Sequence, residues 1–337
     1  MPYRICVLIP AYNASKTIRD VVAGALKHLP KVIVADDGST DNTAAAASEA
    51  GAEVIVMERN KGKGSALKAL FKKALDDGYD AVISMDADGQ HDPEEIPLFL
   101  QANSKYPDAV IVGSRMHEKK MIPRARYNSM QIARYYISFA ANQFLEDTQC
   151  GFRLYPLTLI KKIRLMTERY ATETELLIKA GDSGAEVRFV NIRTIYSGNG
   201  SHFRPIADIS HITAYIIAYL HIKWFIEGVT SNNPKTYSSQ CSIRDTLCTT
   251  FIFQTLSVAT ALPATIFFLI EYVFLSRLIT GNFASVRKLG KSFATITVAT
   301  HMLPVVLLIA IAENLLHKSG IQLNLLDKFI ERFYPEF

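Results

Sequence analysis

The sequence predicts an α/β chain with a mostly parallel sheet and helices on both faces, and three observations carry that class. Short β-branched runs recur along the N-terminal part, Ala-, Lys- and Leu-rich segments of helical spacing separate them, and the runs are continuously apolar. Strands alternating with helices read as βαβ units. Continuous apolar strands belong to a sheet covered on both faces.

The expected strands, in order, are Ile5 to Ile9, Val32 to Ala35, Val54 to Met57, Ala81 to Met85 and Val110 to Val112. Helical spacing marks Lys63 to Asp77 and Pro93 to Ser104. The second of these has a clear entry, because Asp92-Pro93-Glu94-Glu95 combines a cap, a first-turn proline and an acidic first turn. After Gly113 the pattern shifts to a longer helix, Ala125 to Leu145, then a strand-like run, Val187 to Ile195. Gly198-Asn199-Gly200 has the composition of a mobile loop.

At 337 residues the chain is expected to form about two structural units. Hydrophobic residues make up 49% and charged ones 20%, which excludes a disordered or low-complexity chain. The net charge of +5, from 37 basic and 32 acidic residues, is too diffuse for a nucleic-acid partner. Cys6, Cys150, Cys241 and Cys248 form no CxxC pair, so neither a zinc site nor a disulfide framework is indicated. Met1 to Leu8 lacks a basic segment leading into an apolar leader, and the N-terminal block is expected in the cytoplasm.

The C-terminal part reads differently. Thr249 to Ile270 has no Asp, Glu, Lys, Arg or His, and Ser292 to Ala312 has no Asp, Glu, Lys or Arg. Each is long enough to cross a bilayer as a helix of about 20 residues. The expected organisation is a soluble domain over 1–204, an interfacial amphipathic helix over 205–228 and a linker over 229–248. A membrane region over 249–337 follows, with two hydrophobic helices near 249–275 and 292–312. Asp208, His211, His221 and Lys223 beside Tyr215, Ile216, Tyr219, Leu220 and Trp224 suggest the interfacial helix. The loop with Arg277, Arg287, Lys288 and Lys291 favours the cytoplasm by positive-inside statistics. A single span after a cytoplasmic domain would put that loop outside. The number of crossings and a homo-oligomeric state stay open.

Ligands of open parallel sheets bind beyond the carboxyl ends of the strands. The residues there are Pro10-Ala11-Tyr12-Asn13, Asp36-Asp37-Gly38-Ser39, Asn60-Lys61-Gly62-Lys63-Gly64, Asp86-Ala87-Asp88-Gly89-Gln90-His91 and Gly113-Ser114-Arg115. Asp86 and Asp88, with the Gln90 carbonyl, offer the oxygen ligands that Mg2+ or Mn2+ take alongside substrate phosphates. Helix capping explains Asp92 well and this pair poorly. Gly62 and Gly64 make neither a dinucleotide fingerprint nor a P-loop, and serve equally as a helix-entry turn or a phosphate cradle. Tyr12 suits stacking on a base or plain loop packing, and Asp37 suits a base N–H or the turn before Gly38.

In this order, and with Thr148-Gln149-Cys150-Gly151-Phe152-Arg153, the motifs resemble the family 2 glycosyltransferases of GT-A fold. They are most similar to the dolichyl-phosphate mannose synthase and polyprenyl-phosphate glycosyltransferase branch. The resemblance covers about residues 3–204. It implies that Pro10, Tyr12, Asn13, Asp37, Lys61, Gly62, Lys63, Gly64 and Asp86 bind the nucleotide, while Asp86, Asp88 and Gln90 hold Mg2+ or Mn2+. It implies further that Arg115, Arg126 and Ser129 face phosphates of donor or lipid acceptor, and that Arg204 closes over the reaction centre. Ala14 and Cys150 depart from the family pattern, where Glu and Ser are common.

The activity so implied is inverting transfer of a hexose from a UDP- or GDP-sugar to a polyprenyl phosphate at a membrane. Asp88, Arg115 and Glu175 are the expected catalytic set. A lipid or glycolipid hydroxyl as acceptor would need a carboxylate base, for which Glu173, Glu175 and Asp147 are the candidates; orienting Arg residues or the acceptor helix is an equal role for them. A non-catalytic nucleotide-sensing membrane protein is the remaining class, and Asp86, Asp88, Gln90 and Arg115 argue against it.

Overall fold

The computed structural model describes residues 3–122, 124–141, 143–193 and 195, with isolated positions between 212 and 319. The chain divides into two units, 1–122 with 137–215 and 123–136 with 216–337.

The first unit holds seven strands: β1 (Ile5–Ala11), β2 (Val32–Asp36), β3 (Glu53–Val56), β4 (Ala81–Ser84), β5 (Val110–Ser114), β6 (Arg153–Pro156) and β7 (Val187–Asn191). They form one sheet in the order β3-β2-β1-β4-β6-β5-β7. All neighbours pair in parallel except β6, which runs antiparallel to both β4 and β5. The helices along the chain are α1 (Ile18–Leu26), α2 (Thr43–Glu49), α3 (Lys63–Asp76), α4 (Ile96–Lys105), α5 (Arg124–Ala141), α6 (Leu157–Lys162) and α7 (Ala171–Asp182), of which α5 belongs to the second unit over 124–136 and the others to the first. The α/β class and the mostly parallel sheet therefore stand.

Burial follows position in the sheet. Every residue of β2, β4 and β5 is buried, as the apolar runs require for strands covered on both faces. The edge strands β3 and β7 are partly exposed. Helix α3 turns Leu67, Leu70, Phe71 and Ala74 inward, the spacing of one helical face. Before α4, Asp92 accepts the Glu94 N–H at 3.0 Å and caps the short turn Pro93–Glu95, as its sequence indicates.

Strand β6 departs from the sequence pattern. Four residues beginning with Arg and ending with Pro carry no apolar run, yet they sit between two core strands. The cost of burying Arg153 is met by hydrogen bonds rather than by hydrophobicity. Its Nε donates to the Cys150 carbonyl at 2.6 Å, Nη2 to the Thr148 carbonyl at 2.9 Å, and Nη1 to the Glu173 carbonyl at 2.9 Å and Tyr155 Oη at 3.2 Å.

Among the described residues no helix is long and apolar enough to cross a membrane. The expected span 249–270 and the linker 229–248 lie outside the described residues. So does 292–312 apart from 308, 309, 311 and 312, which are helical. The expected interfacial helix is described only at 212, 215, 216 and 219, all helical.

Candidate functional site

Strand order sets the place of the site. The chain leaves β1 for β2 and β3 on one side and crosses to β4 on the other. The carboxyl ends of β1 and β4 thus flank the point where strand order reverses, the usual ligand crevice of an open α/β sheet.

The loops that converge there are tied to one another. After β1, Asn13 adopts a left-handed conformation with φ of 49°. Its N–H donates to Ser39 Oγ at 2.9 Å and its Oδ1 accepts the Thr40 N–H at 2.8 Å. Thr17 Oγ1 donates to the Ala87 carbonyl at 2.6 Å, which joins the β1 loop to the β4 loop. Pro10 is buried as part of β1, and Tyr12 is half-buried beside it.

After β2 the two aspartates divide their work. Asp36 Oδ1 accepts the Ser39 N–H at 3.0 Å and shapes the turn. Asp37 reaches the loop before α3, its Oδ1 accepting the Lys61 N–H at 2.8 Å and its Oδ2 the Gly62 N–H at 2.6 Å. Burial raises the Asp37 pKa, and these two N–H donors oppose the rise.

The glycines of that loop allow close packing. Gly62 has φ of +88°, and a Cβ there would meet Arg169 Cγ at 2.6 Å. A Cβ on Gly64 would run into Thr172 Oγ1 and stand 2.8 Å from the Arg169 carbonyl. The start of α3 is therefore pressed directly against the start of α7.

Lys63, in the first turn of α3, ties that helix to the loop after β4 and to α7. Its Nζ lies 2.5 Å from Asp86 Oδ1 and 3.0 Å from Glu173 Oε2. His91 Nε2 stands 3.4 Å from Asp86 Oδ2. Burial would raise the Asp86 pKa, but Lys63 and His91 outweigh it and hold the carboxyl well below its usual range. Burial likewise disfavours the Lys63 ammonium, and Asp86 and Glu173 reverse that effect. Gly151 closes on Asp86 from the other side, where a Cβ would come within 2.5 Å of Oδ2.

Asp88 is half-buried, and its Oδ1 accepts the Gln90 N–H at 2.9 Å. Burial first, and then the charge of Asp86, push its pKa up. Among the described residues its Oδ2 takes no hydrogen bond. No group of three or more His, Cys, Asp or Glu side chains converges on one point among the described residues. The donor set still suits a hard divalent ion, since two neighbouring carboxylates suffice when phosphate oxygens complete the shell.

Arg115 follows β5 and is buried against Asp147. Its Nε donates to Oδ2 at 2.8 Å and its Nη2 to Oδ1 at 3.0 Å, a bidentate pair. Asp147 Oδ1 also accepts the Gln149 and Cys150 N–H groups at 3.0 and 3.1 Å. Glu175 is held by segment 166–167: its oxygens accept the Met166 N–H at 2.9 Å, the Thr167 N–H at 2.8 Å and Thr167 Oγ1 at 2.7 Å, and Lys179 pairs with it at 2.6 Å.

The structure thus brings Asn13, Asp37, Lys61, Gly62, Lys63, Gly64, Asp86, Asp88 and Gln90 to one crevice and turns Glu175 toward its own neighbouring segment. Helix α5 carries Arg126 and Ser129. Their side chains, and all of Arg204, lie outside the described residues. The approach of Gly151 to Asp86 and the pairing of Glu173 with Lys63 arise only in the folded chain. Gly151 stands in a recognisable motif, but Glu173 is 110 residues from its partner and carries no local signal.

Comparison with known proteins adds a second line of observation. A family model described as glycosyl transferase family 2 matches residues 6–164. A UDP-N-acetylglucosamine–dolichyl-phosphate N-acetylglucosaminyltransferase of Methanococcus voltae is 31% identical over 218 residues, covering 57% of this chain and 86% of its own length. A polyprenol monophosphomannose synthase of Mycolicibacterium smegmatis is 32% identical over 198 residues, covering 55% of this chain and 74% of its own. Among solved structures, glucosyl-3-phosphoglycerate synthase of Mycobacterium tuberculosis aligns at 20% identity with a TM-score of 0.48, over 66% of this chain and 78% of that one. That likeness is too distant to carry any residue's role across.

Proposed function

This chain belongs to glycosyl transferase family 2, and on that premise we propose that it moves a hexose from a UDP- or GDP-sugar to a polyprenyl phosphate, with inversion, using Mg2+ or Mn2+. One observation carries the reading: Asp86 and Asp88 follow β4 at the switch point of the sheet, and among the described residues Asp88 Oδ2 takes no hydrogen bond. Two relatives named for transfer to dolichyl or polyprenyl phosphate support the acceptor class.

In this reading Asp37 holds the Lys61–Gly62 loop in the shape that receives the nucleotide, and Pro10, Tyr12 and Asn13 form its opposite wall. Asp86 and Asp88 would hold the metal, with Gln90 fixed beside them. When bound, the metal supplies positive charge to the departing diphosphate. Arg115 adds to that charge from a position fixed by Asp147. Arg126, Ser129 and Arg204 would meet the acceptor phosphate, as the family resemblance implies.

A phosphate monoester has a second pKa of about 6 and is largely dianionic at neutral pH, so it needs no base. That agrees with Glu175, whose oxygens are occupied by segment 166–167 and Lys179. The apolar stretches Thr249–Ile270 and Ser292–Ala312 would keep the chain at the bilayer, catalytic domain toward the cytoplasm, where a long-chain acceptor presents its phosphate.

The test is direct. Membranes containing the protein are incubated with labelled UDP- and GDP-sugars and polyprenyl phosphate. An organic-extractable product that EDTA abolishes is expected with one donor class. No product with any donor would sink the reading.

A further inference from the structure

Lys63 already neutralises part of the carboxylate cluster assigned to the metal. Its Nζ lies 2.5 Å from Asp86 Oδ1, and Glu173 holds the same ammonium from the far side at 3.0 Å. Its side chain is only 17% exposed, so water screens these contacts weakly. Lysine has three donors on one nitrogen. Asp86 Oδ1 and both Glu173 oxygens stand around it, so a phosphate oxygen that bonds the ammonium takes the place of one of them. It also starts α3, at the end of the loop that Asp37 orders.

We propose that Lys63 couples metal capture to the donor: its ammonium competes with a divalent cation for Asp86 until a diphosphate draws the ammonium away. Lys63 is then a positioning residue that acts through Asp86. Two cations sharing one oxygen repel each other strongly at such short range. A diphosphate removes the conflict by giving the ammonium an anionic partner in place of Asp86. Metal and nucleotide each raise the other's affinity by the same factor, as linkage requires. This inference rests on the metal-dependent glycosyl-transfer reading above.

The experiment measures Mn2+ binding to the full-length protein by electron paramagnetic resonance, alone and with inorganic pyrophosphate, UDP or GDP, for wild type, Lys63→Met and Lys63→Arg. Sugar transfer is assayed in parallel. In wild type a diphosphate is expected to tighten Mn2+ binding about tenfold or more. Lys63→Met is expected to bind Mn2+ alone roughly tenfold more tightly than wild type and to lose most of the diphosphate effect. Lys63→Arg keeps the charge and is expected to bind Mn2+ alone as weakly as wild type.

Should Lys63→Met not fold, the double variant Lys63→Met/Glu173→Gln restores the net charge of the trio without the ammonium, and it too is expected to bind Mn2+ alone more tightly than wild type. If wild type shows diphosphate-dependent Mn2+ binding and transfers sugar, yet the variants without the ammonium bind Mn2+ alone no more tightly, the Lys63 proposal is overturned and the function stands. If folded wild type binds no Mn2+ under any condition, both fall together.

Discussion

Asp147 grips the guanidinium of Arg115 with both oxygens, at 2.8 and 3.0 Å, in a site where neither side chain meets more than a trace of solvent. Two further N–H groups, of Gln149 and Cys150, close on Asp147 Oδ1. The carboxylate therefore holds the arginine and the 149–150 backbone as one unit. Asp147→Asn keeps the shape but removes the buried carboxylate charge that faces Arg115. It is expected to lose about 3 kcal/mol in urea unfolding, because removing one partner of a buried pair costs roughly 3–5 kcal/mol.

The same pair sets an acid limit. Burial raises the Asp147 pKa, but Arg115 more than reverses it, so the folded value lies below the ordinary one. Its stabilisation is complete above the unfolded aspartate pKa of about 3.9 and is lost as pH falls toward the depressed folded value. As pH falls below about 4 wild type is expected to lose stability more steeply than Asp147→Asn, in urea titrations at each pH. Parallel curves would refute this.

Asp88→Asn should separate function from stability. Burial and the Asp86 charge raise the Asp88 pKa, so its ionised form disfavours the fold. Neutralising it is expected to leave the thermal midpoint unchanged or higher while turnover falls by about two orders of magnitude or more. Normal turnover in this variant would remove Asp88 from the metal site.

Gly151→Ala tests the closeness of the wall. The new methyl would stand 2.5 Å from Asp86 Oδ2, and the carboxylate must move. Overpacking of this kind costs about 1–3 kcal/mol. Transfer is expected to fall about a hundredfold with the fold kept, since small misplacements at a reacting centre are that damaging. Circular dichroism and turnover check the two halves.

Glu175→Gln distinguishes the acceptors. The amide oxygen can still accept from segment 166–167, so with a phosphate acceptor turnover should drop less than about tenfold. A hydroxyl acceptor that relies on this carboxylate would lose about a hundredfold or more. Steady-state kinetics with polyprenyl phosphate decide between them.

What the sequence determined by itself is local. Apolar runs over Ile5–Ile9, Val32–Ala35 and Ala81–Met85 identify buried strands because solvent exclusion on both faces leaves no alternation to disguise them. The polar turns after those strands identify the crevice, since chain direction alone puts them at the carboxyl ends. Asp92 names its own helix for the same reason: a cap acts on backbone two residues away. Tertiary structure decided the rest. Whether Asp37 orders the turn before Gly38 or the Lys61–Gly62 loop, which strand enters between β4 and β5, and which carboxylate faces Lys63 all depend on contacts between distant segments. Arg153 becomes a core residue only when the Thr148, Cys150 and Glu173 carbonyls surround it. Such contacts leave no period in the sequence, because a charge is placed in a core by the partners that the fold assembles around it.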